Sequence, residues 1–188
     1  MKETPKYSIK SCIILFFIFA FIGWLYECTY RLMHSGTLVN RGFFLGPYLP
    51  IYGAGGLCII IFLQRFYNKK VLSFILIIFI CCIIEYLTSY VLELIYHKLW
   101  WNYSFFKLNL NGRICAEAAL LFGFAGYIVN YHFAPFINKL IIRIPNKIQL
   151  FICIILIIIF TLDFITSIFA PHSGISTTIS NVSCYPYL

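Results

Sequence analysis

The chain has 188 residues, 62% hydrophobic and only 11% charged, with a mean hydropathy of +0.91 and a formal net charge of +8. A soluble domain of this size lacks the polar surface to cover so much apolar area, so a water-soluble fold is excluded. The charge is not a nucleic-acid footprint either, because the basic residues gather in small groups at the ends of apolar runs, as topology signals and snorkelling anchors do.

The pattern predicts an all-α, polytopic transmembrane helical bundle of about five spans, forming a single domain over residues 1–170, with an irregular outer tail over 171–188. A membrane β-barrel would need alternating polarity, which these runs lack. The first span is expected at about 11–33. Lys2, Lys6 and Lys10 precede it, and the apolar run continues past Trp24 without a small-residue cleavage site, so it reads as an uncleaved span. The next stretch, Gly36–Gly56, holds six glycines and two prolines among aromatic and aliphatic residues. It is too apolar for an ordinary wet loop and too broken for a continuous helix. Two readings follow: a re-entrant or broken entry to the second span, or an interfacial loop on the headgroups. Gly46, Pro47 and Pro50 are the gate or hinge candidates there.

The second span is expected at 50–67 and the third at 71–97. After it, Trp100, Trp101, Tyr103, Phe105 and Phe106 suit an aromatic belt at the membrane boundary. The fourth span is expected at 113–134 and the fifth at 148–170. An N-terminus inside places Lys2, Lys6, Lys10, Arg65, Lys69, Lys70, Lys139, Arg143 and Lys147 on the cytoplasmic side, against Arg31, Arg41, Lys98, Lys107 and Arg113 outside. That balance predicts N-in and C-out.

Five of the six acids lie inside strongly apolar stretches: Glu27, Glu85, Glu93, Glu117 and Asp163. A carboxylate at the centre of a span costs about 2.5–3.5 kcal/mol on insertion scales, so each must pair with another group or line a site. Helical spacing groups Glu85, Thr88, Ser89, Glu93 and Tyr96 into one polar stripe, and Asp163, Thr166 and Ser167 into another. Arg31, Arg41 and Arg113 bring the opposite charge to the same level. Glu27 with Arg31, and Glu117 with Arg113, are also placed to neutralise one another on single helices. The eight residues Glu27, Arg31, Arg41, Glu85, Glu93, Arg113, Glu117 and Asp163 are therefore the substrate-binding candidates, with no catalytic residue assigned. An internal echo accompanies them. Glu27 is followed by Asn40-Arg41-Gly42, and Glu93 by Asn111-Gly112-Arg113.

No Walker A pattern, no GxSxG elbow and no zinc-ligand spacing is present, with only His34, His97, His132 and His172 available, so no metal and no cofactor are expected. The eight cysteines include no CxxC pair. Cys28, Cys115 and Cys184 could share one membrane face, but unpaired packing cysteines are the favoured reading.

On FIGWLYECTYR (Phe21–Arg31), VNRGFFLGPYLPIYG (Val39–Gly53), EYLTSYVLE (Glu85–Glu93), WWNYS (Trp100–Ser104) and NLNGRICAE (Asn109–Glu117), the chain resembles the bacterial membrane family of ABC transporter permeases, type IV, also called CmpB-like. The resemblance covers most of residues 11–135 and implies a multi-pass protein of the bacterial cytoplasmic membrane. It would work in the lipid bilayer with a separate ATPase subunit and other membrane subunits, on an unnamed substrate. The alternatives are an enzyme acting on a lipid or envelope precursor at the outer face, with Glu93 and Glu117 as acid and base and Arg41 and Arg113 as clamps, and a non-catalytic membrane scaffold. No nucleic-acid partner is expected.

Overall fold

The computed structural model describes residues 4–36, 39–97 and 99–169. The expected tail over 171–188, with His172 and Cys184, and the basic residue Lys98 lie outside the described residues. Four helical stretches are long and apolar enough to cross a membrane: Ile9–Met33, Lys70–Tyr96, Ala116–Arg143 and Asn146–Phe169. Their outward faces are rows of Ile, Leu and Phe, as lipid contact requires.

Helix α1 (Ile9–Ser35) starts where Ser8 Oγ accepts from the Ser11 amide at 3.1 Å, and stops at Gly36, whose positive φ of 67° lets its amide cap the Leu32 carbonyl. Residues 39–49 are not helical, and they run back along α1. Trp24 Nε1 donates to Asn40 Oδ1 at 2.6 Å, Cys28 Sγ to the Val39 carbonyl at 3.2 Å, and the Leu49 amide to the Ala20 carbonyl at 3.0 Å. Val39, Phe44 and Tyr48 are buried against this surface. Helix α2 (Pro50–Phe62) therefore begins beside the middle of α1, with Pro50 in its first turn, where a missing amide hydrogen costs nothing. Its 13 residues make about 20 Å, short of the roughly 30 Å of a bilayer core. A 3₁₀ turn, Leu63–Phe66, extends it.

Small residues let α2 lie close on α1. A Cβ on Gly53 would stand 2.8 Å from the Phe16 carbonyl oxygen, and one on Gly23 would enter the Tyr52 ring at 2.2 Å. This is the packing device of membrane helices, in which shape fit replaces the hydrophobic drive.

Helix α3 (Lys70–Tyr96) buries Ser73, Ile77, Glu85 and Ser89, all multiples of four residues apart on one face. Of the expected polar stripe, Glu85 and Ser89 face inward while Thr88, Glu93 and Tyr96 stay partly exposed. The connection to the next helix contains a short hairpin, β1 (Asn109–Leu110) with β2 (Ile114–Cys115). Asn111 and Gly112, at φ 52° and 65°, make its turn.

The fourth expected span, 113–134, begins later and ends later than the sequence suggested. Residues 114–115 are held in the hairpin, so α4 (Ala116–Ile128) starts at 116. It passes through a π turn, Val129–Phe133, into α5 (Ala134–Arg143). Pro135 lies within this continuous stretch, and the widened turn just before it accommodates the ring and the missing donor. Helix α6 (Asn146–Phe169) follows after Pro145, and Gln149 Nε2 donates to the terminal α5 carbonyls of Ile141 and Ile144 at 3.0 and 2.8 Å.

The start of α1, the end of α5 and the start of α6 meet at one end. Lys10 Nζ donates to Asn146 Oδ1, Asn138 Nδ2 to the Lys6 carbonyl at 3.0 Å, and Gln64 Nε2 to the Pro5 carbonyl at 3.4 Å. This is the basic end of the bundle. Between it and the loops, Leu15, Phe19, Ile60, Ala134 and Cys153 form the main core.

Candidate functional site

The eight candidate residues do not form one cluster. The structure sorts most of them into three groups, each built on a connection that folds back against a helix.

The first group joins α1, α2, α3 and both connections. Glu27 Oε1 accepts from the Tyr52 hydroxyl at 2.7 Å, and Glu27 Oε2 pairs with the Arg41 guanidinium at 3.4 Å. Arg41 and Glu27 are 14% and 24% exposed, so this pair is substantially desolvated. Glu85 lies deeper, 6% exposed, and its Oε1 accepts from the Tyr103 hydroxyl at 2.8 Å. The two carboxylates interact electrostatically, and the Glu27 charge also reaches Tyr103. Burial first, then the Glu85 charge beside it, pushes the Tyr103 hydroxyl above its ordinary range, so it stays a donor. Glu85 Oε2 is buried without a hydrogen-bond partner, and so is Ser89 Oγ one turn further along α3. Glu85 has no basic partner among the described residues.

The second group lies at the loop end of α3. Arg113, from the hairpin, donates to Glu93 Oε2 and stands over the Tyr86 and Tyr90 rings, each centroid 5.5 Å from its guanidinium carbon. Glu93 is 38% exposed, so this pair is wetter than the first. Arg113 turns to Glu93 across the connection rather than to Glu117 along its own helix. Glu117 instead sits in the first turn of α4, in contact with the Cys115 thiol. The two ion pairs share a plan: each ties an acid near a helix end to an arginine in the connection that follows, at the two Asn/Arg/Gly positions that echo one another in the sequence.

The third group is Asp163. Its carboxylate accepts from the Leu45 amide at 3.1 Å, the Gly46 amide at 2.8 Å, Ser167 Oγ at 2.9 Å and the Tyr48 hydroxyl. The Tyr48 hydroxyl is the donor in its bond to this carboxylate. Asp163 thus fastens the gate candidates: Gly46 through its own amide, and Pro47 and Pro50 through the chain on either side. Thr166 leaves the expected α6 stripe and returns its hydroxyl to the Asp163 carbonyl at 2.9 Å.

The partner hydroxyls Tyr48, Tyr52 and Tyr103 were not singled out by sequence. Tyr103 was assigned to an aromatic belt, yet it is 5% exposed and packs inward with Cys115 and Ala118. The signal was available in the rule that a carboxylate within a bundle needs a donor, and tyrosines occur in both broken connections. Cys28 and Cys115 are free thiols, as are the other cysteines among the described residues.

The family described as "Putative ABC-transporter type IV" matches residues 14–168. The chain belongs to this family. The match takes in all three polar groups, from Glu27 to Asp163. No curated protein and no solved structure matches. Family membership and the four long apolar helices together make this a membrane-embedded protein.

Proposed function

We propose that this chain is the permease-type membrane component of an ABC transport system, and that Glu85, Tyr103, Glu27 and Tyr52 form its polar substrate site. The family match over 14–168 carries the transport reading. Glu85 points to where the site lies, because a carboxylate oxygen left without a donor inside a membrane bundle is a cost that a purely structural residue would not retain. The basic end faces the cytoplasm, giving N-in and C-out in a bacterial cytoplasmic membrane, and the site lies in the outer half. Residues 39–49 with α2 make a fifth, broken crossing. Their helix start at Pro50 and the strap around Gly46 and Pro47 act as a hinge beside the site.

The enzyme alternative has less support, since its clamps are engaged elsewhere: Arg41 holds Glu27 and Arg113 holds Glu93. Energy would come from a separate ATPase subunit touching the basic end. A tagged full-length chain, purified from its native membranes in mild detergent, is expected to bring down an ATPase in stoichiometric amount. Repeated recovery of the chain without any nucleotide-hydrolysing subunit would remove the transport reading.

A further inference from the structure

We propose that the Glu85 cluster binds a primary ammonium group, which makes the cargo an organic cation and rests on the transport reading given above. Charge points this way first. Glu27 is answered by Arg41, whereas Glu85 meets no basic group among the described residues, and the charge that reaches it is that of Glu27, of the same sign. Its other near neighbours include the thiols of Cys81, Cys82 and Cys115, which are weak donors. The cluster is left with one net negative charge inside an apolar bundle, a cost that a cation removes and an anion would raise.

Geometry narrows the kind of cation. Glu85 Oε2 is buried without a partner, and Ser89 Oγ is a second orphan one turn further along the same buried face of α3, on a residue only 2% exposed. The ion-pair scheme gives no reason to bury that hydroxyl there unsatisfied. An ammonium carries three N–H donors and is held by separate hydrogen bonds to a carboxylate and a hydroxyl oxygen. A hard metal ion such as calcium wants roughly six or more oxygens, and the described residues gather no group of three metal-ligating acids, histidines or cysteines. The cluster also lies between two hairpins built alike. Helices α1 and α2 meet where Gly53 lies on Phe16 and supply Glu27 and Tyr52. Helices α3 and α4 meet where Gly123 lies on Ile78, and α3 with the connection after it supplies Glu85, Ser89 and Tyr103. Tyr103, which covers Glu85 Oε1, belongs to that connection and not to a span, so a shift of the connection uncovers the carboxylate without unpacking the helices.

The test uses the full-length chain purified in detergent without an ATPase subunit, at mildly alkaline pH, where carboxylates are ionised and methylamine is still protonated. Equilibrium dialysis with radiolabelled methylammonium measures binding, and sodium and tetramethylammonium chlorides compete at equal ionic strength. Wild type should bind methylammonium saturably, with at least tenfold weaker competition from either salt. Glu85→Gln should lose binding roughly tenfold, since it removes the charge from the hydrogen bond. Ser89→Ala, whose hydroxyl has no partner to lose, should fold as wild type and bind about fivefold more weakly. Glu93→Gln changes an acid already held by Arg113 and should bind as wild type. Absence of saturable binding in wild type would overturn the proposal, as expected if a proton or a buried water satisfies Glu85 and Ser89 instead. So would equal competition by either salt, or wild-type affinity in Glu85→Gln; should that variant fail to fold, wild-type affinity in Ser89→Ala decides in its place. Failure here with an ATPase still recovered beside the chain would leave the transport reading standing, and binding without any ATPase would remove that reading and keep the cation site.

Discussion

Asp163→Ala is expected to destabilise the folded protein by about 2–3 kcal/mol, close to a hundredfold in the folded-to-unfolded ratio, because hydrogen bonds to a charged acceptor are worth about 1.5–3 kcal/mol each and are not additive. The carboxylate holds two backbone amides, a tyrosine hydroxyl and Ser167 together. Removing it leaves the Leu45 and Gly46 amides without their acceptor at a place where no sheet or helix can replace it. Asp163→Asn should be milder, since one carbonyl oxygen remains, but its NH₂ group opposes the amide donors. The damage should be local first. Limited proteolysis in detergent should cut within 39–49 in Asp163→Ala under conditions that leave wild type whole, and the melting midpoint should fall. Wild-type resistance at that segment would show that the strap is held by its apolar packing alone.

Glu27→Ala should cost at least as much, about 3 kcal/mol, because it strands a guanidinium that is only 14% exposed and frees the Tyr52 hydroxyl as well. Truncating one member of a desolvated ion pair is worse than losing both. Arg41→Met alone should also destabilise, and adding Glu27→Gln to it should recover part of the loss, a coupling that a double-mutant cycle measures. Glu93→Ala is the internal comparison. Glu93 is 38% exposed, and Arg113 would keep two tyrosine faces, so the cost should stay within about 1 kcal/mol. Equal melting midpoints for Glu27→Ala and Glu93→Ala would contradict the burial difference on which this rests.

Much of the fold was legible because membrane helices announce themselves by length and apolarity. The long stretches at Ile9, Lys70 and Asn146 start within about three residues of where charge and hydropathy placed them. The fourth span, expected to end at 134, runs on through Pro135 because a π turn absorbs the ring, and no residue pattern in Val129–Phe133 declares that in advance. The Asn111-Gly112 hairpin was readable, since both residues tolerate positive φ, but two-residue strands carry too little alternation to be seen beside it. The candidate acids were legible by cost alone. Their partners were not, because Glu27 meets Arg41 and Glu93 meets Arg113 through connections whose path is set by tertiary contact. The one-helix pair expected for Glu117 and Arg113 obeyed local spacing, yet the hairpin turns Arg113 toward α3. Similar depth also proved a coarse guide. Asp163 serves the strap beside Ala20 and Pro50, whereas Glu27 and Glu85 meet the inward-facing tyrosines.

Glu85→Gln separates a working site from a structural charge. Glutamine keeps a carbonyl oxygen for the Tyr103 hydroxyl and the same volume, but removes the charge that lies 6% exposed with an unpartnered oxygen. The measurement is ATP hydrolysis by the purified complex of this chain with the ATPase subunit proposed for it, taken at equal complex content and reported beside the melting midpoint. The prediction is an unchanged or slightly raised midpoint, unchanged assembly and at least a tenfold loss of turnover. Wild-type turnover in Glu85→Gln, or a loss fully accounted for by reduced protein, would contradict the assignment of this cluster as the functional site.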